Sequence, residues 1–499
     1  MKYSVAHLEN GLKKSIKKDN DADDGLEGYP GYGIRHLQSL LLALAVFSGY
    51  LQRVNLAVTI VAITNIKLND TTAEDENVAN VPIYSWNSEV RGYILSAFFV
   101  GYLITNFPAA VIGVHLSNKR LLFFTFFVNG ILNVLTPFLI EFEYSGSNQL
   151  LKNLVDAAGV GNWRALIIFR AIQGILQAFM FPTLHSISAR WAPPHERSQL
   201  VGFIMSGIPF GTMFTLAGSG VIASTYGWPS VFYSSGAVGI LWAIIWLVLG
   251  SDNPAHCSFI STNERDYIHK YIPENSVEGK KKVPWASLLT SWPVWAIVIS
   301  HTGHNWGFWL LLSEMPTFIH EVLGFNIKSD GFTSALPYLV MWLLQFPVMY
   351  IADELVKRRI LSISFSRKLW NTIGMWGTSI SLVVLGYLDH DKKMAILFYI
   401  TSVAVGCCVN VGFNINHMDL TPNYAGILMG MSNGFAATGG LGGPLIVAYL
   451  VKDMKSVLQW RMVFFVGAAI TFFSNLFFLI FGSGKTRSWN DKKLELSTQ

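Results

Sequence analysis

The dominant pattern along the chain is a series of long apolar runs separated by short polar segments. A membrane-spanning helix needs about 20 apolar residues, and twelve runs approach or exceed that length. These runs lie near 37–64, 90–114, 119–140, 165–189, 199–223, 229–250, 293–318, 331–352, 368–388, 393–415, 423–450 and 461–483. A polar stretch from Ser251 to Ser291 separates the first six runs from the last six. The pattern predicts an all-α, polytopic membrane protein with 12 transmembrane helices in two six-helix halves.

The polar segments between and around these runs predict the domain organisation. Within residues 1–35, the four lysines at positions 13, 14, 17 and 18 are followed by four aspartates with no apolar periodicity, which indicates a disordered cytoplasmic tail. We expect an N-terminal half at 36–250 and a cytoplasmic central loop at 251–291. A C-terminal half at 292–484 and a cytoplasmic C-terminal tail at 485–499 complete the predicted order.

Basic residues in the loops predict the orientation of the helices. Lysine and arginine cluster in the N-terminal tail, after spans two, four and eight and in the central loop, so the positive-inside rule assigns that side to the cytoplasm. The loop after span one is acidic and contains Asn69, which begins an Asn-Asp-Thr glycosylation sequon. We predict that Asn69 is glycosylated on the opposite, extracellular or luminal face. Neither tail shows an acidic dileucine signal, which favours the plasma membrane over a vesicular or lysosomal membrane.

Composition narrows the class of protein and its partners. Hydrophobic residues make up 52% of the chain, charged residues 13%, and the mean hydropathy is +0.40, which is typical of a polytopic membrane protein. The net charge of +5 follows the loop bias and does not indicate nucleic-acid binding. Three cysteines, two of them adjacent in an apolar run, argue against a disulfide framework or a metal site. We therefore expect a functional monomer in the lipid bilayer, with no cofactor and a small solute as its partner.

Charged residues within the apolar runs are the first candidates for function. Arg53 lies in the middle of span one and Arg170 in span four, and an arginine in hydrocarbon is costly unless it faces a wet cavity or an ionic partner. At about 100° per residue, Gln173, Gln177 and Phe181 share the helix face of Arg170. Guanidinium groups pair with carboxylates and phosphates through two hydrogen bonds, so these positions predict an anion site. A structural ion pair for each arginine and interhelical hydrogen bonding by the glutamines are the alternatives.

Span seven contributes His301, His304, Asn305 and Glu314. His304 beside Asn305 and several aromatic residues would add positive charge to the anion site when protonated, although a histidine used only for packing is the alternative. Glu314 is the one carboxylate well inside a predicted span. Three roles for Glu314 stay open, namely an arginine partner, the carrier of a coupling proton, and a residue at the outer mouth.

Several sequence motifs resemble known transporters. The turn YIADELVKRR after span eight keeps Asp353 ahead of basic residues and resembles the gating turn of the major facilitator superfamily. Span four, FRAIQGILQAFMFPTLHSISARWAPPHERS, and spans ten and eleven, GFNINHMDLTPNYAGILMGMSNGFA, resemble the anion transporter family that includes sialin, the vesicular glutamate transporters and the type I sodium/phosphate cotransporters. SAFFVGYLITNFPA in span two and HNWGFWLLLSEMPTF in span seven match as well. The resemblance covers about residues 35–485 and is closest to insect members described as inorganic phosphate cotransporters.

The resemblance implies the major facilitator fold, transport by alternating access and roles for particular residues. Arg53 and Arg170 match the family's two substrate-site arginines. His185 matches a histidine near the cytoplasmic end of span four, and His304 stands where the vesicular glutamate transporters have an arginine. The combined candidates are, for substrate binding, Arg53, Arg170, Gln177, Phe181, His304 and Asn305, and, for coupling or gating, His185, Glu314 and Asp353.

The function predicted from these observations is secondary active or potential-driven transport of organic anions or inorganic phosphate, with sodium as a candidate coupling ion. Gln173 and Gln177 replace glutamates of sialin-like members, and an amide cannot titrate, which argues against the family's proton route through span four. The alternative is a proton-coupled vesicular or lysosomal exporter of acidic sugars or acidic amino acids, with Glu314 or His304 in place of those glutamates. A membrane enzyme using His417 and Asp419 is a third interpretation, and the family pattern explains the same motif as a helix boundary.

Overall fold

The computed structural model describes residues 31–64, 84, 86, 88–141, 162–193, 196–272, 283–324, 327–388, 391–453 and 455–490. All regular secondary structure within these ranges is helical, so the all-α prediction is confirmed. Most of the N-terminal tail, the sequon at Asn69, the central-loop lysines 280–282 and the end of the C-terminal tail lie outside the described residues, so the expectations about them stay predictions.

The helices of the first half follow the predicted order of spans. They are α1 Ile34–Thr64, α2 Ser88–His115, α3 Asn118–Glu141, α4 Asn162–Gln177, α5 Met180–Trp191, α6 Arg197–Met205, α7 Gly207–Tyr226 and α8 Pro229–Leu249. Helices α1, α2, α3 and α8 each form one span. Span four consists of α4 and α5, and span five consists of α6 and α7.

The central loop contains two short helices, and the second half follows it. These helices are α9 Thr262–Tyr271, α10 Trp285–Thr290, α11 Trp292–Glu321, α12 Ile327–Lys357, α13 Ile363–Leu385, α14 Lys392–Ala404, α15 Phe413–Leu420, α16 Ala425–Ala436, α17 Thr438–Leu450 and α18 Val457–Phe481. Helices α11, α12, α13 and α18 form spans seven, eight, nine and twelve. Span ten is α14 and α15 joined by a 3-10 segment at Val405–Asn410, and span eleven is α16 and α17.

Four spans are broken, which differs from the continuous helices expected from the apolar runs. Span four breaks between Gln177 and Met180, so the face expected to join Arg170 to Phe181 is divided between α4 and α5. Pro182 provides a physical reason, because it has no N–H to donate to the carbonyl four residues earlier. Broken helices at membrane depth are tolerated where protein or a cavity surrounds the freed backbone groups.

By length and hydropathy alone, nine of the twelve spans qualify as membrane-crossing helices within the described ranges. The other three are spans seven, nine and eleven. Each of these three spans carries a buried polar or charged side chain, namely His301 on α11, Arg367 on α13 and Asn433 on α16. The lower hydropathy of these spans therefore coincides with buried polar groups in the second half.

The two halves contact each other through α2, α5, α6 and α7 on one side and α12 and α16 on the other. Glycines permit close approaches near the N-terminal end of α16. A Cβ at Gly426 would overlap the hydroxyl of Ser186 on α5, and a Cβ at Gly430 would overlap Ala110 on α2. The two halves are thus packed against each other around the start of α16.

Candidate functional site

A cavity of about 60 Å³ lies between the two halves. Spans one, two, four and five line it from the first half, and spans seven, ten and eleven line it from the second. Among the polar lining residues are Tyr50, Arg53, Tyr102, His301, His304, Asn305, Asn410, Asn414 and Asn433. Arginine occurs once among the described lining residues, and aspartate and glutamate do not occur there. This lining favours an anion over a cation.

Arg53 on α1 is held among aromatic rings. Its guanidinium carbon lies 4.5 Å from the ring centre of Tyr102, 5.0 Å from that of Phe98 and 5.2 Å from that of Tyr50. The Nε atom donates a hydrogen bond of 3.2 Å to Oε1 of Gln177. The Nη2 atom is buried and has no hydrogen-bond partner among the described residues. Ring faces stabilise the cation, and a residue that lines the cavity therefore keeps one guanidinium donor without a hydrogen-bond partner.

Arg170 on α4 lies behind Arg53 and does not line the cavity. Its Nη1 atom donates to Oε1 of Gln173 at 3.0 Å and to the carbonyl oxygen of Gln52 at 3.5 Å. Its Nη2 atom donates to the carbonyl oxygen of Arg53 at 3.2 Å. The structure therefore places the two predicted arginines close together. Arg170 donates hydrogen bonds to backbone carbonyls of α1, whereas Arg53 lines the cavity.

Two glycines create the helix crossing on which this arrangement depends. Gly101 on α2 and Gly174 on α4 face each other so closely that a Cβ at either position would overlap a carbonyl oxygen of the opposite helix. Small residues allow such backbone contact between membrane helices. The crossing places the Phe98 ring centre 5.0 Å from the guanidinium carbon of both Arg53 and Arg170.

The other predicted binding residues divide between the cavity wall and the layer behind it. Phe181, His304 and Asn305 line the cavity. Gln177 does not line it; its Nε2 atom donates to the carbonyl oxygen of Gly49 at 3.3 Å while its Oε1 atom accepts from Arg53. Gln177 thus fixes the position of the Arg53 side chain from behind.

The predicted coupling and gating residues occupy three different places. His185 on α5 is buried, and its Nε2 atom lies 3.1 Å from Oδ1 of Asn414 in the second half. Asp353 on α12 accepts a hydrogen bond of 2.8 Å from the backbone N–H of Gln199 at the start of α6. Both residues therefore join the two halves. Glu314 on α11 is partly buried and does not line the cavity.

A buried ion-pair network at the end of span ten was missed by the sequence analysis. Asp419 on α15 pairs with Arg197 of the first half at 3.3 Å and with Arg367 of the second half at 2.7 Å. Arg367 also donates to the hydroxyl of Ser198 at 3.2 Å. The apolar run predicted that span ten ends at residue 415, whereas α15 continues to Leu420, so Asp419 lies inside a helix. The acid in the motif NxxDxxPxYAG was the available signal.

Comparison with known proteins identifies the family. The family model of the Major Facilitator Superfamily matches residues 42–444. Sialin from Ovis aries is 36% identical over 471 residues, which cover 91% of this chain and 90% of sialin. The "Putative inorganic phosphate cotransporter" of Drosophila melanogaster is 32% identical and covers 98% of this chain and 92% of its own length. Vesicular glutamate transporter 3 from Danio rerio is 33% identical, covering 94% and 76%.

A solved structure supports the same fold. The proton:xylose symporter XylE, bound to 6-bromo-6-deoxy-D-glucose, superposes with a TM-score of 0.63 at 15% identity, covering 91% of this chain and 97% of that one. The predicted major facilitator fold is confirmed. These relatives are transporters, so the interpretation of His417 and Asp419 as parts of a membrane enzyme is wrong. The chain is a multi-pass integral membrane transporter that belongs to the major facilitator superfamily, in the group that contains sialin and the vesicular glutamate transporters.

Proposed function

We propose that this chain moves a small anion across the membrane by alternating access and binds it in the cavity between the halves. The observation that supports this proposal is the environment of Arg53. Its unpartnered Nη2 atom belongs to a residue that lines the cavity, and the described lining contains no acidic side chain. A buried donor without a partner is unfavourable by about 1–3 kcal/mol, which an entering oxyanion would recover.

The same geometry explains how one anion would engage both halves. Arg53 supplies the positive charge from the first half, and His304 and Asn305 supply polar contacts from the second half. An anion that touches both walls stabilises the state in which the halves enclose it, because binding favours the conformation with more contacts. In the present conformation the cytoplasmic ends are joined through Asp419 and Asp353, so exit to the cytoplasm requires those contacts to separate.

The proposed substrate is an organic anion or inorganic phosphate, driven by the membrane potential or by a co-transported sodium ion. The names of sialin, the glutamate transporter and the phosphate cotransporter support this range of anions. One charge crossing the membrane changes its free energy by about 2.3 kcal/mol per 100 mV, so the potential alone is a sufficient driving force. We further propose residence in the plasma membrane and glycosylation at Asn69.

A flux screen of the purified chain in lipid vesicles tests this proposal. Phosphate, urate, glutamate and sialate are offered in turn, with sodium, proton and potential gradients imposed one at a time. We expect at least one anion to accumulate above the level of empty vesicles, and neutral xylose serves as the control solute. Uptake of xylose with no uptake of any of the four anions would contradict the proposal.

Arg170→Ala is expected to lower anion uptake at least about tenfold while the protein still reaches the membrane. The change removes a positive charge beside Arg53 and the hydrogen bonds that Arg170 donates to the backbone carbonyls of Gln52 and Arg53, at about 1.5–3 kcal/mol for each hydrogen bond of a charged group. Radiolabelled uptake normalised to surface expression is the measurement. Arg164→Ala, at an exposed arginine of the same helix, is the control. Undiminished uptake in Arg170→Ala would exclude a role for this residue.

Gln177→Glu is expected to make substrate exchange fall steeply as pH rises. The new carboxylate would lie where Oε1 of Gln177 now accepts from Arg53, so in its ionised form it competes with the anion for the guanidinium. Lowering the pH protonates this group and restores exchange. Counterflow at equal pH on both sides is the measurement, and Gln173→Glu, which faces Arg170 instead, is the control. A profile no steeper than that of the wild type would count against this role of Gln177.

A second candidate function is proton-coupled export of acidic sugars or acidic amino acids. The observation that favours it is a group of histidines near the cavity, where His185, His301 and His417 are all buried. Their ring centres lie 5.5 Å apart for His185 and His417 and 6.0 Å apart for His301 and His417. Titratable groups are therefore present in this region although span four carries amides in place of glutamates.

A further inference from the structure

Three buried side chains form a continuous hydrogen-bonded chain that begins at the cavity. His301 on α11 lines the cavity, and its Nδ1 atom lies 3.0 Å from Oγ of Ser432 on α16. The same hydroxyl oxygen lies 2.7 Å from Nε2 of His417 on α15. The Nδ1 atom of His417 lies 2.8 Å from the carbonyl oxygen of Asn414. One serine hydroxyl thus bridges two imidazole rings.

The positions of the protons in the neutral state follow from which groups can donate. A carbonyl oxygen only accepts, so Nδ1 of His417 carries a hydrogen that it donates to Asn414. Nε2 of the neutral His417 ring is then an acceptor and receives the hydroxyl hydrogen of Ser432. The oxygen of Ser432 in turn accepts the Nδ1 hydrogen of His301.

The same three residues satisfy their hydrogen bonds after one proton is added. A protonated His417 donates from both ring nitrogens, to Asn414 and to Ser432. The oxygen of Ser432 then accepts from Nε2 of His417, and its own hydrogen donates to Nδ1 of His301, which has become the unprotonated nitrogen of a ring whose Nε2 atom carries the hydrogen. A buried polar network is stable when each member has a partner, and this network meets that condition in both protonation states.

We propose that His301, Ser432 and His417 form a proton-binding relay that couples anion transport to proton movement. The inference rests on the proposed anion transport and takes as coupling ion the proton of the second candidate function, in place of the membrane potential or sodium. A proton from the cavity binds Nε2 of His301, the Nδ1 proton of His301 passes to the oxygen of Ser432, and the hydroxyl proton of Ser432 passes to Nε2 of His417. One proton enters and one proton is held on His417, so no other reactant is required.

The charges around the relay explain why proton and anion would bind together. On α15, Asp419 is already paired with Arg197 and Arg367. The basic groups closest to the relay and the cavity are His185 on α5, His304 on α11 and Arg53 on α1. The phenols of Tyr50 and Tyr102 also line the cavity, whereas the carboxyl groups of Glu314 on α11 and Asp353 on α12 do not. A second positive charge is therefore unfavourable in the empty cavity and becomes favourable when an anion enters. By linkage, the proton strengthens anion binding by the same factor.

The relay also reaches the contact between the halves. Asn414 accepts from His417 through its backbone carbonyl, and its side chain meets His185 of the first half at 3.1 Å. The rings of His185 and His417 are 5.5 Å apart between centres. A charge gained by His417 thus acts directly on a contact that must separate when the cytoplasmic side opens. This arrangement would link proton binding to the conformational change.

The relay can be tested with the full chain in lipid vesicles, with sialate and inorganic phosphate as the probes. Two activities are compared, namely counterflow at equal pH and accumulation driven by an inward proton gradient at clamped potential. His417→Gln cannot take up the proton, so we expect it to retain counterflow and to lose gradient-driven accumulation. Ser432→Ala is expected to show the same separation, and Ser432→Thr, which keeps the hydroxyl, should restore accumulation.

The matched control is Ser402→Ala, because Ser402 is also buried and donates to the carbonyl three residues earlier, at 2.7 Å, outside the relay. The relay would be overturned if the wild type accumulated the anion to the same level with and without an inward proton gradient. It would also be overturned by undiminished accumulation in His417→Gln, or by a parallel loss of counterflow and accumulation. If neither probe counterflows in the wild type, the transport proposal fails for these anions. The relay is then decided by infrared difference spectra on acidification, where an imidazolium signal absent from His417→Gln supports it and an unchanged signal refutes it.

Discussion

Arg53→Gln is expected to reduce anion uptake in lipid vesicles by roughly 100-fold, the largest loss from any single change in the cavity wall. A hydrogen bond to a charged group contributes about 1.5–3 kcal/mol, and each 1.4 kcal/mol is a factor of ten. Glutamine keeps a polar side chain, although a shorter one, and removes the charge. Arg53 is the one arginine among the described lining residues, so the cavity would lose its permanent cation. Initial uptake rates against substrate concentration are the measurement.

The control for this experiment is Arg164→Gln, the same change at an exposed position of α4 outside the cavity lining. Arg164→Gln should transport like the wild type. Uptake by Arg53→Gln within about twofold of the control would mean that the anion binds elsewhere, since twofold corresponds to only about 0.4 kcal/mol.

Asp419→Asn is expected to open the transporter between its halves on the side that carries this ion-pair network, which the loop charges predict to be cytoplasmic. Removing one partner of a buried ion pair costs about 3–5 kcal/mol because the remaining charges are left uncompensated. Asp419 serves two arginines, one from each half, so the present conformation would lose its main cross-link there. A cysteine placed at Met349, which is buried against Gly202 of the first half, reports the opening. We expect its labelling by a water-soluble reagent to accelerate at least about tenfold, which corresponds to 1.4 kcal/mol.

Glu354→Gln is the matched control for this opening. Glu354 pairs with Arg358 at 2.6 Å on the surface, and the arginine side chain is 66% exposed. Exposed pairs of this kind contribute about 0–1 kcal/mol, so labelling should stay at the wild-type rate. Equal labelling in Asp419→Asn and Glu354→Gln would show that the buried network does not hold the cytoplasmic side closed.

The fold was largely predictable from the sequence because span length and loop charge depend on local composition. Apolar runs predicted the helical class, the order of spans and the two halves. The breaks in spans four, five, ten and eleven were not predictable in the same way. A broken span, such as the one formed by α4 and α5, has the same continuous apolar sequence as an unbroken helix. Pro182 marked one break, but a proline inside a membrane helix is also compatible with a simple kink.

The candidate site was predicted in part. An arginine in an apolar run signals a buried polar environment, and on that basis both Arg53 and Arg170 were singled out. Which of the two lines the cavity depends on how α1, α2 and α4 cross, and that crossing is set by Gly101 and Gly174 rather than by the arginines. Asp419 was assigned to a helix boundary because hydropathy falls near the end of span ten. Tertiary contacts, which no local pattern contains, decide both outcomes.

The ring of Phe98 between the two arginines has a mechanical consequence. Arg170 grips the backbone of α1 at Gln52 and Arg53, and both guanidinium groups rest on the same ring, so α1, α2 and α4 are bound into one block. If an anion binds at Arg53, we expect these three helices to move together as one unit rather than to change conformation separately. The joint nearest to it is the break after Gln177, where α4 ends and α5 begins two residues later. Span four is therefore tightly packed beside the proposed anion site and interrupted after Gln177, where it can change direction.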